Sequence, residues 1–151
     1  MFEKILVCLD GSSLAEQVIP YAAEMTRRFG GSLALLQVID APGFVIAPGE
    51  PEVAVESVGE MKAQEEEAAA YLQRVAEPLL QEGIQVEPAI LGGHEPSEAI
   101  LAYLAKYGFD LIVIATRGRG GVKRFLFGSV ADSVLRRSHL PVLVMNPAEE
   151  D

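Results

Sequence analysis

Asp110–Ser129, DLIVIATRGRGGVKRFLFGS, runs from an acid through five consecutive apolar residues into an island of glycine and positive charge, and closes on Gly-Ser. Leu111–Ala115 is apolar on both of the faces that alternate along a strand, the pattern of a central parallel strand covered by helices on each side. The island begins at the carboxyl end of that strand. In an open parallel sheet, ligands bind beyond these ends, where neighbouring connections leave in opposite directions. Glycine lets backbone amides come close to an anion, and a helix starting near Ser129 offers unpaired N–H groups and a partial positive charge. Gly118, Gly128 and Ser129 can supply that combination. The alternative is structural: a glycine turn, then Ser129 as a helix N-cap with Asp132 three residues on.

Similar runs recur at Lys4–Leu9, Ser32–Ile39, Gln85–Leu91 and Pro141–Met145, each beside a longer segment with helical spacing. Leu14, Val18, Tyr21, Ala22 and Met25 fall at three- and four-residue steps on one helix face, which Gly30-Gly31 terminates. A second helix is expected from near Ser57 to about Glu82 with Gly83 as its stop, its charge run being a solvated face. A third spans Pro96 to Tyr107 and a fourth Ser129 to Ser138. Alternating strands and helices make βαβ units, hence a parallel sheet with helices on both faces. Ala41–Glu56, APGFVIAPGEPEVAVE, departs from this pattern because Pro42, Pro48 and Pro51 bar a continuous helix or a central strand. It is expected to be a long, mobile connection, either a surface excursion or a lid.

With 151 residues, half of them apolar, the chain has the length and hydrophobic content of one domain. A formal net charge of -10 opposes a broad surface for nucleic acid or anionic membrane. Against that background, six of the twelve Lys+Arg lie between Arg117 and Arg137, where Asp132 is the only acid. Such an island suits a small anion; it also suits a solvated loop that offsets surplus acid. Arg136 and Arg137 sit where a helix C-terminus favours positive charge without any ligand. Cys8 has no partner for an internal disulfide, and its apolar surroundings in sequence read as core. His94 and His139, the only histidines, are too few for a metal cluster and read as structural or exposed. No run approaches the roughly twenty apolar residues of a membrane span, and the N-terminus has no secretory pattern, so the expected location is the cytoplasm.

The island does not offer Gly-x-x-x-x-Gly-Lys-Ser/Thr, and Leu9-Asp10-Gly11-Ser12-Ser13 does not give Gly-x-Gly-x-x-Gly after the first strand. Over nearly its whole length the chain resembles the universal stress protein family, in particular its ATP-binding branch. The likeness is carried by KILVCLDGS, LALLQVID, GGHEPSEAI, FDLIVIATRGRGG and GSVADSVLRRSHLPVLVM. The branch's Gly-x-x-Gly, nine residues, Gly-Ser/Thr falls without a gap on Ala115-x-x-Gly118, Arg119–Phe127 and Gly128-Ser129. Ala115 stands where the family has its first glycine, and its methyl group is the place where a nucleotide would be weakened or shifted.

This resemblance implies a Rossmann-like open five-stranded parallel sheet in order 3-2-1-4-5, with ATP and Mg2+ across the ends of strands one and four. It places Asp10 near the ribose and the metal-bearing phosphates, and the backbone of Val38 against adenine. Gly118, Gly128, Ser129 and Val130 take the phosphate positions. Asp10 also reads as part of a capping sequence for the first helix. A homodimer is implied too, and Pro141–Met145, apolar and at the expected sheet edge, is its pairing surface. The leading function is an ATP-responsive stress or signalling module with slow or no turnover. An ATP-hydrolysing or phosphoryl-transfer enzyme needs a base or water-positioning group that no residue marks, although Arg117, Arg119, Lys123 and Arg124 could stabilise charge. A nucleotide-independent adaptor dimer is the third reading, kept open by Ala115.

Overall fold

A computed structural model describes residues 1–50, 59–116 and 128–149. Chain order is β1 (Lys4–Leu9), α1 (Ser13–Glu16), α2 (Ile19–Phe29), β2 (Ser32–Ile39), β3 (Phe44–Ile46) and α3 (Glu60–Gln81). There follow β4 (Gln85–Gly92), α4 (Pro96–Lys106), β5 (Leu111–Ala115), α5 (Ser129–Arg137) and β6 (Val142–Met145). The sheet order is β3-β4-β2-β1-β5-β6. Five of these strands are parallel and keep the expected order, β4-β2-β1-β5-β6.

The sixth strand corrects the reading of Ala41–Glu56 as a connection throughout. Phe44–Ile46 pairs antiparallel with β4, Phe44 opposite Gly92 and Ile46 opposite Ile90. Three residues between Pro42 and Pro48 are enough for a short edge strand, where the prolines' missing N–H groups interrupt no ladder. Residues 51–56 of that segment, and the expected start of the second long helix near Ser57, lie outside the described residues. The first expected helix is also divided, into α1 and α2, with Pro20 in the opening turn of α2 where a missing N–H costs nothing. α2 ends on Gly30 at φ 67°, a left-handed cap.

The sheet separates two apolar layers. Ile5, Val7, Leu35, Leu72, Val113 and Ala115 belong to the layer beneath α1, α2 and α3. Leu6, Cys8, Leu36, Ile100, Ile112 and Val134 form the layer beneath α4 and α5. Successive residues of one strand alternate between them, which explains why β1 from Ile5 onward and all of β5 are apolar on both faces. Cys8 lies in this core as expected, and burial pushes its thiol pKa up to about 12. The amino-terminal ends of β1 and β5 are stitched by Asp110, whose Oδ2 accepts hydrogen bonds from the amides of Glu3 at 2.8 Å and Lys4 at 2.9 Å. Among the described residues, no helix is long and apolar enough to cross a membrane.

Candidate functional site

β1 and β5 are neighbours and parallel, so Asp10 and Thr116 leave the sheet at the same edge. The β1 exit is a tight turn. Asp10 Oδ1 accepts from the Ser12 amide at 2.9 Å and from Ser12 Oγ at 2.6 Å, while Gly11 takes φ 88°. Ser12 Oγ in turn accepts from Ala15 N at 3.1 Å, which makes Ser12 the N-cap of α1. Asp10 therefore does share in capping, by holding the capping serine. Burial raises the pKa of Tyr71, an α3 side chain, and the nearby Glu16 and then the charge of Asp10 add to it.

The β5 exit meets the start of α5 directly. Gly128 N donates to Thr116 O at 2.6 Å, and a Cβ on Gly128 would stand closer to that carbonyl than the 3.0 Å that real Cβ atoms keep. Glycine is required here by close backbone approach, because its φ of −65° is open to any residue. Gly128 is also the N-cap of α5, without a capping side chain, and Ser129 and Val130 are the first two helical residues. The structural alternative, Ser129 as N-cap with Asp132 three residues on, is thus not what forms. Ser129 lies one position inside the helix, exposed, and Asp132 bonds Arg136 Nε at 3.0 Å. Arg137 pairs with Glu98, so both C-terminal arginines of α5 have structural partners.

Ala115 is 9% exposed, and its methyl group belongs to the layer beneath α1–α3, whereas α5 packs on the other layer. The extra methyl is therefore turned away from the helix whose amides open the site. Val38 lies at the end of β2, half-buried, in register with Leu91 of β4. Asp10, Ala115, Gly128, Ser129 and Val130 thus gather around the ends of β1 and β5, with Val38 one strand farther along. Gly118, together with Arg117, Arg119, Lys123 and Arg124, lies outside the described residues.

Three features escaped the sequence reading. Thr116, 4% exposed, holds both sides of the exit: its carbonyl takes Gly128 N, its amide donates to Met145 O at 2.8 Å, and its hydroxyl meets Asn146 Oδ1 at 3.2 Å. Gln37, 9% exposed, brings its amide beneath the Gly11 turn, and its Oε1 is buried without a hydrogen-bond partner among the described residues. The chain after β6 returns to the α1–α2 corner, where Gln17 bonds Ala148 through both its N–H and C=O at 2.9 Å. A polar residue inside an apolar strand was the one available signal, and it applied to Gln37. Among the described residues, no group of three or more His, Cys, Asp or Glu is placed to hold a metal ion.

Comparison with known proteins supplies the context for this geometry. The model described as "Universal stress protein family" matches residues 1–146. Universal stress protein MJ0531 of Methanocaldococcus jannaschii is 30% identical over 152 residues, covering 100% of this chain and 86% of its own. The solved structure of the hypothetical protein MJ0577, from the same organism, is similar at a TM-score of 0.80 and 30% identity, covering 99% of each chain. A universal stress protein from Archaeoglobus fulgidus, solved in complex with dAMP, shares the fold at a TM-score of 0.65 and 20% identity, covering 97% of this chain and 98% of that one.

Proposed function

Since the chain belongs to the universal stress protein family, we propose that it is an adenine-nucleotide-binding stress-response or signalling module whose ligand is ATP with Mg2+. The observation that carries this reading is the start of α5. A glycine N-cap, backed against Thr116 O with no capping side chain, opens the helix at the edge where β1 and β5 end. An anion there is favoured by unpaired amides and by the helix dipole. In this reading the amides of Ser129 and Val130 receive phosphate oxygens, joined by Gly118 on the family resemblance. Asp10 serves the ribose and the metal-bearing phosphates, and the Val38 backbone receives adenine. Mg2+ fits this residue set, since with a nucleotide it keeps its waters and takes few protein ligands, and one carboxylate at the β1 end suffices.

Turnover is slow or absent in this proposal. Asp10 is assigned to the ribose and the metal-bearing phosphates, and the sequence marks no other residue as the base or water-positioning group that phosphoryl transfer needs. The adaptor alternative rests on Ala115, and the placement of that methyl in the layer opposite α5 favours the nucleotide reading over it. Native mass spectrometry of freshly purified protein, with release and identification of small molecules, is the test. ATP or ADP retained by the wild type and lost in Gly128→Asp supports the reading. An empty protein that also fails to take up added Mg-ATP refutes it and returns the adaptor.

We further propose a homodimer through β6, the sheet edge opposite β3. Val142 and Val144 pack on the layer beneath α4 and α5, so acidic substitution there would injure the core, whereas Leu143 is 36% exposed. Leu143→Lys is therefore the sharper probe. Sedimentation should show a monomer with unchanged circular dichroism, and a dimer that persists would exclude this edge.

A further inference from the structure

A second cleft lies on the flank of the sheet away from β5 and α5. β3 and the end of β4 form one wall and α4 the other, around a cavity of about 480 Å³ lined by Phe44, Val45, Leu91, Ala99, Ala102 and Tyr103 among others. That volume falls within the range of small-molecule sites. None of Asp10, Val38, Ala115, Gly128, Ser129 or Val130 lines it.

The cleft has fixed walls. Gly92 lies so close beneath the Phe44 ring and the Pro42 carbonyl that a Cβ there would collide with both, which seats β3 firmly on β4. Tyr103, 7% exposed, is flanked by the rings of Tyr107 at 4.6 Å and Phe109 at 5.6 Å between centroids. Beside one end, His94 Nδ1 meets Asp40 Oδ1 at 2.6 Å. Beside the other, Lys106 Nζ meets Glu50 Oε1 at 2.8 Å, and the Glu50 side chain is only 11% exposed. Walls held in this way require little ordering when a ligand arrives.

Charge on the rim selects the ligand. Lys106 and Glu98 have ionic partners in Glu50 and Arg137, and His94 has a hydrogen-bond partner in Asp40. Glu95, the N-cap of α4, makes no side-chain capping bond and has no ionic partner among the described residues. An anion entering here would meet Glu95 and Glu98, whereas a cation would find the exposed Glu95 carboxylate available beside the apolar wall. A flat apolar body carrying a cationic donor complements both the aromatic wall and the open carboxylate. We propose that the cleft between β3 and α4 binds a small arylalkylamine, its ring against Phe44 and Tyr103 and its ammonium on Glu95. This site is independent of the nucleotide reading.

The test is a 1H–15N titration of the full chain with 2-phenylethylamine, with 3-phenylpropionate as the charge-reversed control. Saturable shifts at Gly92, Gly93, Ala99, Ala102 and Tyr103 are expected for the amine, with the carboxylate at least tenfold weaker. Ala102 is exposed at the cleft, so Ala102→Phe should fill it and abolish the shifts while leaving the rest of the spectrum in place. Glu95→Gln, also at an exposed position, should weaken the amine about tenfold and erase its advantage over the carboxylate. Absence of saturable shifts, equal binding of the two probes, or binding unchanged in both variants would each overturn the proposal.

Discussion

Replacing Gly128 by alanine adds one methyl group at the point where the end of β5 touches the start of α5. The new Cβ would fall inside the 3.0 Å limit from Thr116 O, and the obstacle is a backbone carbonyl that cannot rotate aside. Either the α5 start moves by at least about half an ångström or the 2.6 Å bond from Gly128 N to Thr116 O opens. Overpacking of this kind costs about 1–3 kcal/mol, and a lost hydrogen bond alone would account for about 0.5–1.5 kcal/mol of it. In a chain of this length that corresponds to a Tm lower by about 2–12 °C. Gly108→Ala is the matched control, because nothing lies within 4 Å of its Cβ and its φ is not in the left-handed region. It should be neutral or stabilising by up to about 1 kcal/mol through the unfolded state. Urea unfolding of both variants, with m held equal to wild type, gives the comparison. A Gly128→Ala variant as stable as Gly108→Ala would show that the Thr116 contact does not impose glycine at position 128.

Other residues make separate commitments. Ala115→Gly removes a methyl group buried on the far side of the sheet from α5, so calorimetric nucleotide affinity should change by less than about twofold while stability falls by about 1 kcal/mol. His139 adopts φ 57° just beyond α5 and is exposed, so His139→Gly should raise stability by up to about 1 kcal/mol in thermal unfolding. The Asp110 carboxyl is held below its ordinary range by the amides of Lys4 and then Glu3. Its stabilisation is therefore present above the unfolded value near about pH 4 and lost as pH falls through the lower folded value. Asp110→Asn should flatten the acid limb of the stability profile, by under about 1 kcal/mol because the group is largely solvated. Cys8 should resist a thiol reagent at pH 8 in the native protein and react fully in denaturant; rapid native labelling would contradict its burial and its thiol pKa near 12.

The parallel sheet was legible because strands covered on both faces are apolar wherever they are buried, as Ile5–Leu9 and Leu111–Ala115 are, whereas its order came from the family resemblance. Helix ends were legible wherever a local device sets them, as at Gly30 and Gly83, both with positive φ. The family motif also pointed to Asp10, Val38, Gly128 and Ser129, because close backbone approach and helix starts leave a spacing in the chain. Other features depended on partners far away in sequence. β3 exists only because β4 presents an open edge to Phe44–Ile46, and three residues between prolines carry no such instruction by themselves. The direction of the Ala115 methyl, the clasp of Thr116 on Gly128 and Asn146, and the cleft walled by Phe44 and Tyr103 each join segments separated along the chain. Short-range chemistry marked the elements other than β3. Packing of elements distant in sequence decided which side chains face which layer, because that choice depends on the surfaces available when the sheet and helices meet.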